Sequence, residues 1–278
     1  MGSIEVELSE ADLSGCLALS KSAHWNQNEA DWRLMLGFGR GWGIREGGSL
    51  AASTLLLPYG ESFAWVAMVL VLPEHRRKGF ASRLLRLALA ELAAQRRIAL
   101  LDATPAGRTV YVREGFRDCW SFKRFSMVKG PGAAANERNM DDRDWPQILD
   151  LDQKAFGASR ETVLRNLASR QPKIALVAER NGQIAGFVLG REGREALQIG
   201  PLVADDAQTA RALLGAALGR IDGPVYLDIA DHAAPLQAWV LAQGFAVQRS
   251  FTRMAHGPEG GAPGNAAVVF CPAGPELG

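Results

Sequence analysis

Apolar and polar positions alternate along the chain in short segments whose periods predict an α/β protein. Segments of period two, or continuous apolar runs of strand length, indicate strands, and leucine- or alanine-rich segments with a spacing of three to four indicate helices. In the first half the predicted order is β-α-α-β-β-β-α-β-α-β, over residues 4–8, 10–20, 29–36, 42–45, 50–57, 63–71, 82–92, 98–103, 107–114 and 116–128.

One stretch combines a strand, a basic turn and a helix. The apolar run over 69–72 stops at Pro73, a turn with Arg76 and Gly79 follows, and leucines recur at helical spacing over 84–92. The first N–H groups of a helix lack internal partners and the helix dipole makes that end positive. The stretch therefore suits a pyrophosphate-like anion. A solvated basic turn is the other interpretation of the same residues.

The spacing Arg76-x-x-Gly79-x-Ala81, between a strand and a helix, resembles the acetyl-CoA loop of the GNAT acetyltransferase superfamily. The element order over about residues 4–128 is also similar to that family. The resemblance implies acetyl-CoA as co-substrate and a strand whose exposed main chain pairs with the pantetheine arm. The residues that it implies for cofactor binding on the strand and loop are Val69, Leu70, Val71, Arg76, Arg77, Lys78, Gly79, Phe80, Ala81 and Ser82.

Three further positions follow from the resemblance. Thr104 ends the next strand, where the family often places a polar residue near the thioester, although Thr104 before Pro105 also fits a helix N-cap. Tyr111 lies four residues before Gly115, as does the family's tyrosine that protonates the departing thiolate. A core tyrosine would also explain it. Arg113 either reaches the cofactor or is solvated.

The acceptor side is less defined. A neutral amine nucleophile must lose a proton, and many family members use a glutamate on the fourth strand, but 63–71 contains none, so the general base stays unidentified. The weak candidates for substrate contact are Trp25, Asn26, Gln27, Asp228 and His232. For these five positions, loop packing or a structural role explains the residue types at least as well.

The sequence pattern begins again in the second half. Gly115-Phe116, Ser121-Phe122 and Arg124 recur as Gly244-Phe245, Ser250-Phe251 and Arg253, always 129 positions later. Several matches in one register indicate an internal duplication. The prediction is two GNAT-like domains, each a central mixed, mostly antiparallel sheet flanked by helices. The predicted boundaries are 1–129 for the first domain, 130–136 for a linker, 137–257 for the second domain and 258–278 for a Gly/Pro-rich tail with a possible edge strand.

The two copies differ where the chemistry is predicted. At the repeat spacing, the stretch from Arg76 to Ala81 corresponds to 205–210, which begins with Asp205 and Asp206. Carboxylates suit a helix N-terminus but repel a pyrophosphate. Tyr111 corresponds to Val240. The second copy is therefore predicted to have lost cofactor binding.

Composition limits the remaining classes. The 278 residues carry a net charge of +1, so no broad polyanion-binding surface and no nucleic-acid partner is expected. Three distant cysteines fit neither a disulfide framework nor a zinc site, and no metal is expected. No apolar run approaches the length of a membrane span, and no signal pattern is recognised. A cytoplasmic protein is the prediction; its oligomeric state is open.

The predicted function is an acetyl-CoA-dependent N-acetyltransferase that transfers acetyl to a primary amine by direct attack in a ternary complex. The acceptor is expected to be a small-molecule or peptide amine. A non-catalytic acyl-CoA-binding module or sensor is the first alternative, because it needs the loop but not Tyr111. A tandem-GNAT aminoacyl-transferase is the second, and it predicts a basic groove for RNA.

Overall fold

The computed structural model describes residues 2–128, 137–257 and 261–278, which form two compact units. The first unit comprises Met1–Asp118, Gly193–Glu195 and Met254–Gly261, and the second comprises Cys119–Glu192, Ala196–Arg253 and Ala262–Gly278. The predicted linker 130–136 lies outside the described residues, as do residues 258–260 of the predicted tail.

The first unit contains its strands and helices in the predicted order. They are β1 (Ile4–Leu8), α1 (Leu13–Ser22), α2 (Glu29–Phe38), β2 (Arg40–Glu46), β3 (Ser49–Tyr59), β4 (Phe63–Val71), α3 (Phe80–Ala94), β5 (Ile98–Ala103), α4 (Pro105–Arg113) and the start of β6 (Arg117–Met127). Local sequence fixes several ends. Asn28, for example, accepts from the backbone of Asp31 at 3.1 Å while the Asp31 carboxylate accepts from Asn28 at 3.0 Å, a reciprocal cap that starts α2.

The sheet of the first unit runs in the order β1-β2-β3-β4-β5, with β12 (Ala246–His256) next to β5. Pairs from β1 to β4 are antiparallel, and β4 and β5 are parallel. The leucine-rich face of α3 covers the sheet, because Leu85, Ala88 and Leu92 recur on one side of that helix and are buried in the core. Met254 belongs to the same core cluster.

The second unit repeats the architecture. After the two-residue strand β7 (Arg138–Asn139), it contains α5 (Trp145–Phe156), α6 (Glu161–Arg170), β8 (Leu176–Arg180), β9 (Gln183–Arg191), β10 (Leu197–Ala204), α7 (Ala207–Leu218), β11 (Val225–Ala230), α8 (Ala234–Ala242), most of β12 and β13 (Val269–Cys271). Its strands follow the order β12-β6-β11-β10-β9-β8-β7, and β13 pairs with β10. Both units thus have the predicted mixed, mostly antiparallel sheet with flanking helices.

The unit boundary differs from the predicted one at residue 129. Most of β6 belongs to the second unit, because residues Phe122 to Met127 pair antiparallel with β11. Conversely, Gly193–Glu195 and Met254–Gly261 belong to the first unit. Periodicity predicts that a segment is a strand but not which distant strand it pairs with, so these assignments could not be read from the sequence.

The C-terminal tail forms a short strand that pairs with a strand of the second unit. β13 pairs antiparallel with β10, which already has β9 on one side and β11 on the other. In the described ranges β13 pairs with β10 alone, and its three residues are buried. Among the described residues, no helix is long and apolar enough to cross a bilayer, and no group of acidic, cysteine or histidine side chains is arranged to hold a metal ion.

Candidate active site

A bulge interrupts β4 in the middle of the first unit's sheet. Ser53 of β3 lies opposite Leu70, and Leu55 lies opposite Ala67, so two residues of β4 face one residue of β3 between them. One of the two, Met68, has φ +51, and its carbonyl accepts a hydrogen bond of 2.7 Å from the buried Ser53 hydroxyl. A bulge of this kind bends the strand and re-aims its backbone.

Beyond the bulge, β4 leaves its other neighbour. The parallel pairing with β5 covers Phe63, Ala64 and Trp65 and, in the described part of the chain, extends no further along β4. Leu70 and Val71 still pair with β3 on the opposite side. The stretch predicted to contact the pantetheine arm, from Val69 to Val71, therefore has one side of its main chain turned away from β3 and past the end of the β5 pairing.

The loop after β4 leads directly to a helix start without a side-chain cap. A short 3₁₀ turn, Pro73–His75, is followed by Arg77 with φ +63 and by Gly79 with φ +79, and α3 begins at Phe80. Glycine adopts this left-handed conformation without strain, and an added Cβ at Gly79 would meet open space. In the part of the chain that the structure describes, no side chain caps this N-terminus. Its N–H groups, which include those of the predicted contacts Phe80, Ala81 and Ser82, remain available to an anion.

The three basic residues of this loop have different surroundings. Arg76 and Arg77 are exposed, and the Nε of Arg76 lies 3.4 Å from the Val71 carbonyl oxygen. Lys78 instead donates to both carboxylate oxygens of Glu46 at 3.0 Å, and His75 Nδ1 lies 2.9 Å from the same carboxylate. The Lys78 ammonium, with His75, lowers the pKa of Glu46. Positive charge for a bound anion therefore comes mainly from the two arginines.

A second carboxylate connects α3 to the end of α4. Glu114 accepts two hydrogen bonds of 3.0 Å from Arg86, and this contact, together with the Ser82 hydroxyl, lowers the pKa of Glu114. The Ser82 side chain is thus engaged with Glu114, and the contribution that Ser82 can offer an anion is its backbone N–H. Through Ser82 in its first turn and Arg86 in its second, α3 is joined to the end of the helix that carries Tyr111.

The structure places Thr104 at the N-cap of α4. Its hydroxyl accepts from the N–H of Gly107 at 3.2 Å, and Pro105 occupies the first helical position. This matches the capping interpretation of Thr104, while its predicted contact with the cofactor stays a prediction. Arg113 is exposed in the last turn of α4.

Tyr111 packs against the core of the first unit at the end of α4. Its ring lies 5.7 Å from that of Phe116, centroid to centroid, and closely over Gly107. Burial raises the pKa of the Tyr111 hydroxyl, so that it stays protonated at neutral pH. Among the described residues, no hydrogen-bond partner holds that hydroxyl. The Tyr111 hydroxyl therefore keeps its proton, as its predicted role as an acid requires.

The loop before α2 is held by a segment that the sequence did not indicate. Asn26 is buried, its side-chain oxygen accepts from the backbone of Glu195 at 2.9 Å, and its carbonyl accepts from the backbone of Arg194 at 2.7 Å. The Arg194 side chain donates to the Trp25 carbonyl at 3.0 Å. Gln27 is also buried, and its side-chain oxygen has no hydrogen-bond partner among the described residues. No sequence signal connects positions so far apart.

The corresponding helix of the second unit, α7, is capped at its N-terminus by a carboxylate of the chain itself. The Asp206 carboxylate caps α7 by accepting from the N–H of Thr209 at 2.8 Å, and Arg180 donates to it at 2.9 Å. The Thr209 backbone bond, followed by Arg180, lowers the pKa of Asp206 to about 2. Val240, which corresponds to Tyr111, is fully buried in an apolar core cluster.

The two weak acceptor candidates of the second unit have structural partners. Asp228 is fully buried and receives hydrogen bonds from Arg124 at 2.6 and 2.7 Å and from Gln198 at 3.0 Å. His232 packs its ring 6.0 Å from Phe270, and burial lowers its pKa. The pairing of Asp228 and the packing of His232 match the structural interpretation of both residues, while their contact with a substrate stays a prediction.

Comparisons with known proteins agree with this geometry. The profile described as "Acetyltransferase (GNAT) family" matches residues 10–116, and the profile described as "Acetyltransferase (GNAT) domain" matches residues 148–266. The uncharacterized N-acetyltransferase YitH of Bacillus subtilis is 24% identical over 246 residues, which is 86% of each chain.

Two solved structures share the fold of the whole chain. A proposed acetyltransferase of Pyrococcus horikoshii superposes with a TM-score of 0.81 at 19% identity, covering 100% of this chain and 96% of that one. A tandem GNAT protein from the clavulanic acid biosynthesis pathway superposes with a TM-score of 0.64 at 17% identity, covering 92% of this chain and 99% of the other.

Proposed function

Since the chain belongs to the GNAT acetyltransferases, with one domain of the family in each half, we propose that its first unit transfers an acetyl group from acetyl-CoA to a primary amine. The proposal rests on two features of the first unit that follow one another directly along the chain. The half of β4 past the bulge, open on its β5 side, leads through one short loop to the uncapped N-terminus of α3.

These features suit the two chemically distinct parts of coenzyme A. Open main-chain groups of Val69 to Val71 match the amides of a pantetheine arm, as the family resemblance implies. The N–H groups at the start of α3, with the exposed Arg76 and Arg77, match a pyrophosphate. Gly79 leaves room for the close approach of that group. Acetyl-CoA supplies the thioester from which the acetyl group is taken.

The transfer forms one C–N bond and breaks one C–S bond. The amine loses a proton, which passes to water, and the departing thiolate gains one. We assign that second proton to the Tyr111 hydroxyl, because its raised pKa keeps it protonated and its side chain ends the helix that Glu114 fixes to α3. The tyrosinate left behind is reprotonated from solvent before the next turnover.

Direct attack on the thioester is favoured over an acyl-enzyme. Burial raises the pKa of Cys16 to about 12, and it also raises that of Cys271. With a pKa raised in this way, each of these two thiols is almost entirely protonated at neutral pH and is a poor nucleophile. Neither residue lies in the loop or on β4. The acceptor that fits this proposal is a small-molecule or peptide amine, and the site of action proposed is the cytoplasm.

Cofactor binding is tested by titrating CoA into the whole protein by calorimetry. The wild-type chain should bind one CoA, and Gly79→Glu should reduce the affinity at least 100-fold, because a carboxylate would fill the anion's place. Gly182→Glu is the matched control, since Gly182 has φ +75 against +79 at Gly79 and also faces open space. Equal affinity in the two folded variants would show that the loop is an ordinary turn.

Activity is tested by measuring CoA release from acetyl-CoA with a panel of primary amines, including peptides. Turnover with at least one amine, lost in Gly79→Glu and kept in Gly182→Glu, is the expected result. CoA binding without turnover for any amine would favour the sensor. Transfer that depends on aminoacyl-tRNA would favour the aminoacyl-transferase.

A further inference from the structure

The second unit repeats the strand geometry of the candidate site. In β10 the pairing with β9 shifts register between Ile199 and Leu202, as β4 does against β3. The parallel pairing of β10 with β11 covers Leu197, Gln198 and Ile199 and, among the described residues, goes no further along β10. The duplicated half therefore has its own slot between two parallel strands, at the place where β4 and β5 separate in the first unit.

In the second unit this slot contains a peptide segment. Leu202 and Val203 of β10, just past the register shift, pair antiparallel with Cys271 and Val269 of β13. The three residues of β13 are almost completely buried, with at most 5% of each exposed. The main-chain groups of β10 that would otherwise face an open slot are thus satisfied by those of the chain's own tail.

The approach of the tail is close enough to require a glycine. An added Cβ at Gly200, which has φ +149, would lie 2.1 Å from the carbonyl oxygen of Pro272. This is a contact between two backbones, so no side-chain rotation can relieve it. The slot at Gly200 is therefore shaped around the main chain of the segment that follows β13.

Further contacts hold β13 and the residues that follow it. Glu276 forms a buried ion pair with Arg191 of β9, and Arg160 donates to the carbonyl of Gly278. The rings of Phe270 and His232 are in contact. Each of these partners comes from a different part of the second unit, so the segment is enclosed from several directions.

We propose that the slot between β10 and β11 is a binding site for an extended peptide strand, with Val269–Cys271 as its resident ligand. Main-chain pairing supplies the affinity, as in other cases of strand addition, and the apolar surroundings of Phe270 supply the specificity. A peptide takes the place that a pantetheine arm would need, because both present amides along an extended chain. This site is independent of the acyl transfer proposed for the first unit.

The test cleaves the tail, residues 261–278, from the rest of the chain, here called the body, without unfolding the protein. A recognition sequence for a specific protease is inserted between Gly260 and Gly261, the folded protein is cleaved, and the products are followed by gel filtration and native mass spectrometry. Fragment 261–278 should stay bound, and a labelled peptide of the same sequence should exchange with it at a sub-denaturing urea concentration. A scrambled peptide should not exchange.

Two outcomes would overturn the proposal. A fragment that leaves while the body keeps its thermal midpoint would show that the slot does not need an occupant. A fragment that never exchanges, or a body that unfolds and rebinds no peptide, would show that β13 is an inseparable core strand.

Paired glycine variants locate the contact. Gly200→Ala should speed exchange of the cleaved fragment by about tenfold or more, since lost interface contacts act mainly on dissociation. Gly223→Ala is the control, because Gly223 has a similar φ of +138 but faces open space. If Gly200→Ala fails to fold, Phe270→Ala in the cleavable protein provides the same measurement, with faster exchange expected. Equal exchange rates in the variant and its control would contradict the assigned approach.

Discussion

The starts of α3 and α7 differ in what satisfies their free N–H groups. At α3 a left-handed Gly79 precedes the helix and no side chain caps it, whereas at α7 the Asp206 carboxylate accepts from the Thr209 N–H and is itself held by Arg180. The same position in a duplicated fold thus lacks a side-chain cap in one copy and has a carboxylate cap in the other. The comparison teaches that a side-chain carboxylate of the chain itself can occupy the position at which a helix N-terminus would otherwise accept an external anion.

The difference between Tyr111 and Val240 gives the largest expected effect on catalysis. Tyr111→Phe keeps the ring that packs on Phe116 and removes only the hydroxyl, so kcat should fall on the order of 10²-fold. CoA affinity and thermal stability should barely change, which separates lost proton donation from lost packing. Kinetics with any accepted amine check this. Full kcat would reject Tyr111 as the acid.

Charge at the open helix start gives the next largest effect. Arg77→Ala should weaken CoA binding about tenfold, because charge-assisted hydrogen bonds to phosphate are strong. The loss should be smaller at high salt, because salt screens an exposed charge such as that of Arg77. Lys78→Ala should cost about threefold or less, since Lys78 is already engaged with Glu46. Calorimetry at two salt concentrations measures both. A larger loss in Lys78→Ala would mean that Lys78 leaves Glu46 when CoA binds.

The closed helix start gives the smallest effect. Asp206→Ala should lower the free energy of unfolding by about 1 kcal/mol, the usual loss for an N-cap, and should create no second CoA site because β13 still fills the slot. Asp206→Asn is the control, since asparagine also caps helices. Urea denaturation and CoA titration measure the two outcomes, and a second CoA equivalent in Asp206→Ala would contradict the role given to the tail.

The same carboxylate predicts a pH dependence. The folded pKa of Asp206 is about 2, below the ~3.9 of an unfolded aspartate. The contribution of the Asp206 carboxylate to the free energy of unfolding is therefore fully present above about pH 4, and it is lost as the pH falls from 4 towards 2. The stability difference between wild type and Asp206→Ala should shrink over that window. A difference that stays constant to pH 2 would show that Asp206 is not titrating there.

Local patterns explain why much of the fold could be predicted. The run into Pro73, the basic turn with Gly79 and the leucines of α3 are adjacent in sequence, and each element's period identifies it. Asn26 and Glu195, by contrast, are 169 residues apart in the sequence, and no local sequence pattern around either residue predicts their contact. The placement of β13 beside β10 is equally non-local. The capping of Thr104 was foreseen as an alternative, because Thr-Pro at a strand end is a local signal.

Met254 in the core of the first unit has a consequence for synthesis on the ribosome. A nascent chain emerges from its N-terminus, and domains usually fold in that order. Here the core that contains Leu56 and Ala64 also contains Met254, and the ring of His256 lies 5.3 Å from that of Phe116, centroid to centroid. The core of the first unit therefore cannot form completely until almost the entire chain has been translated. Contacts of such long sequence separation also slow folding, so neither unit should be complete until the end of the chain is translated, since the second unit includes Ala262–Gly278.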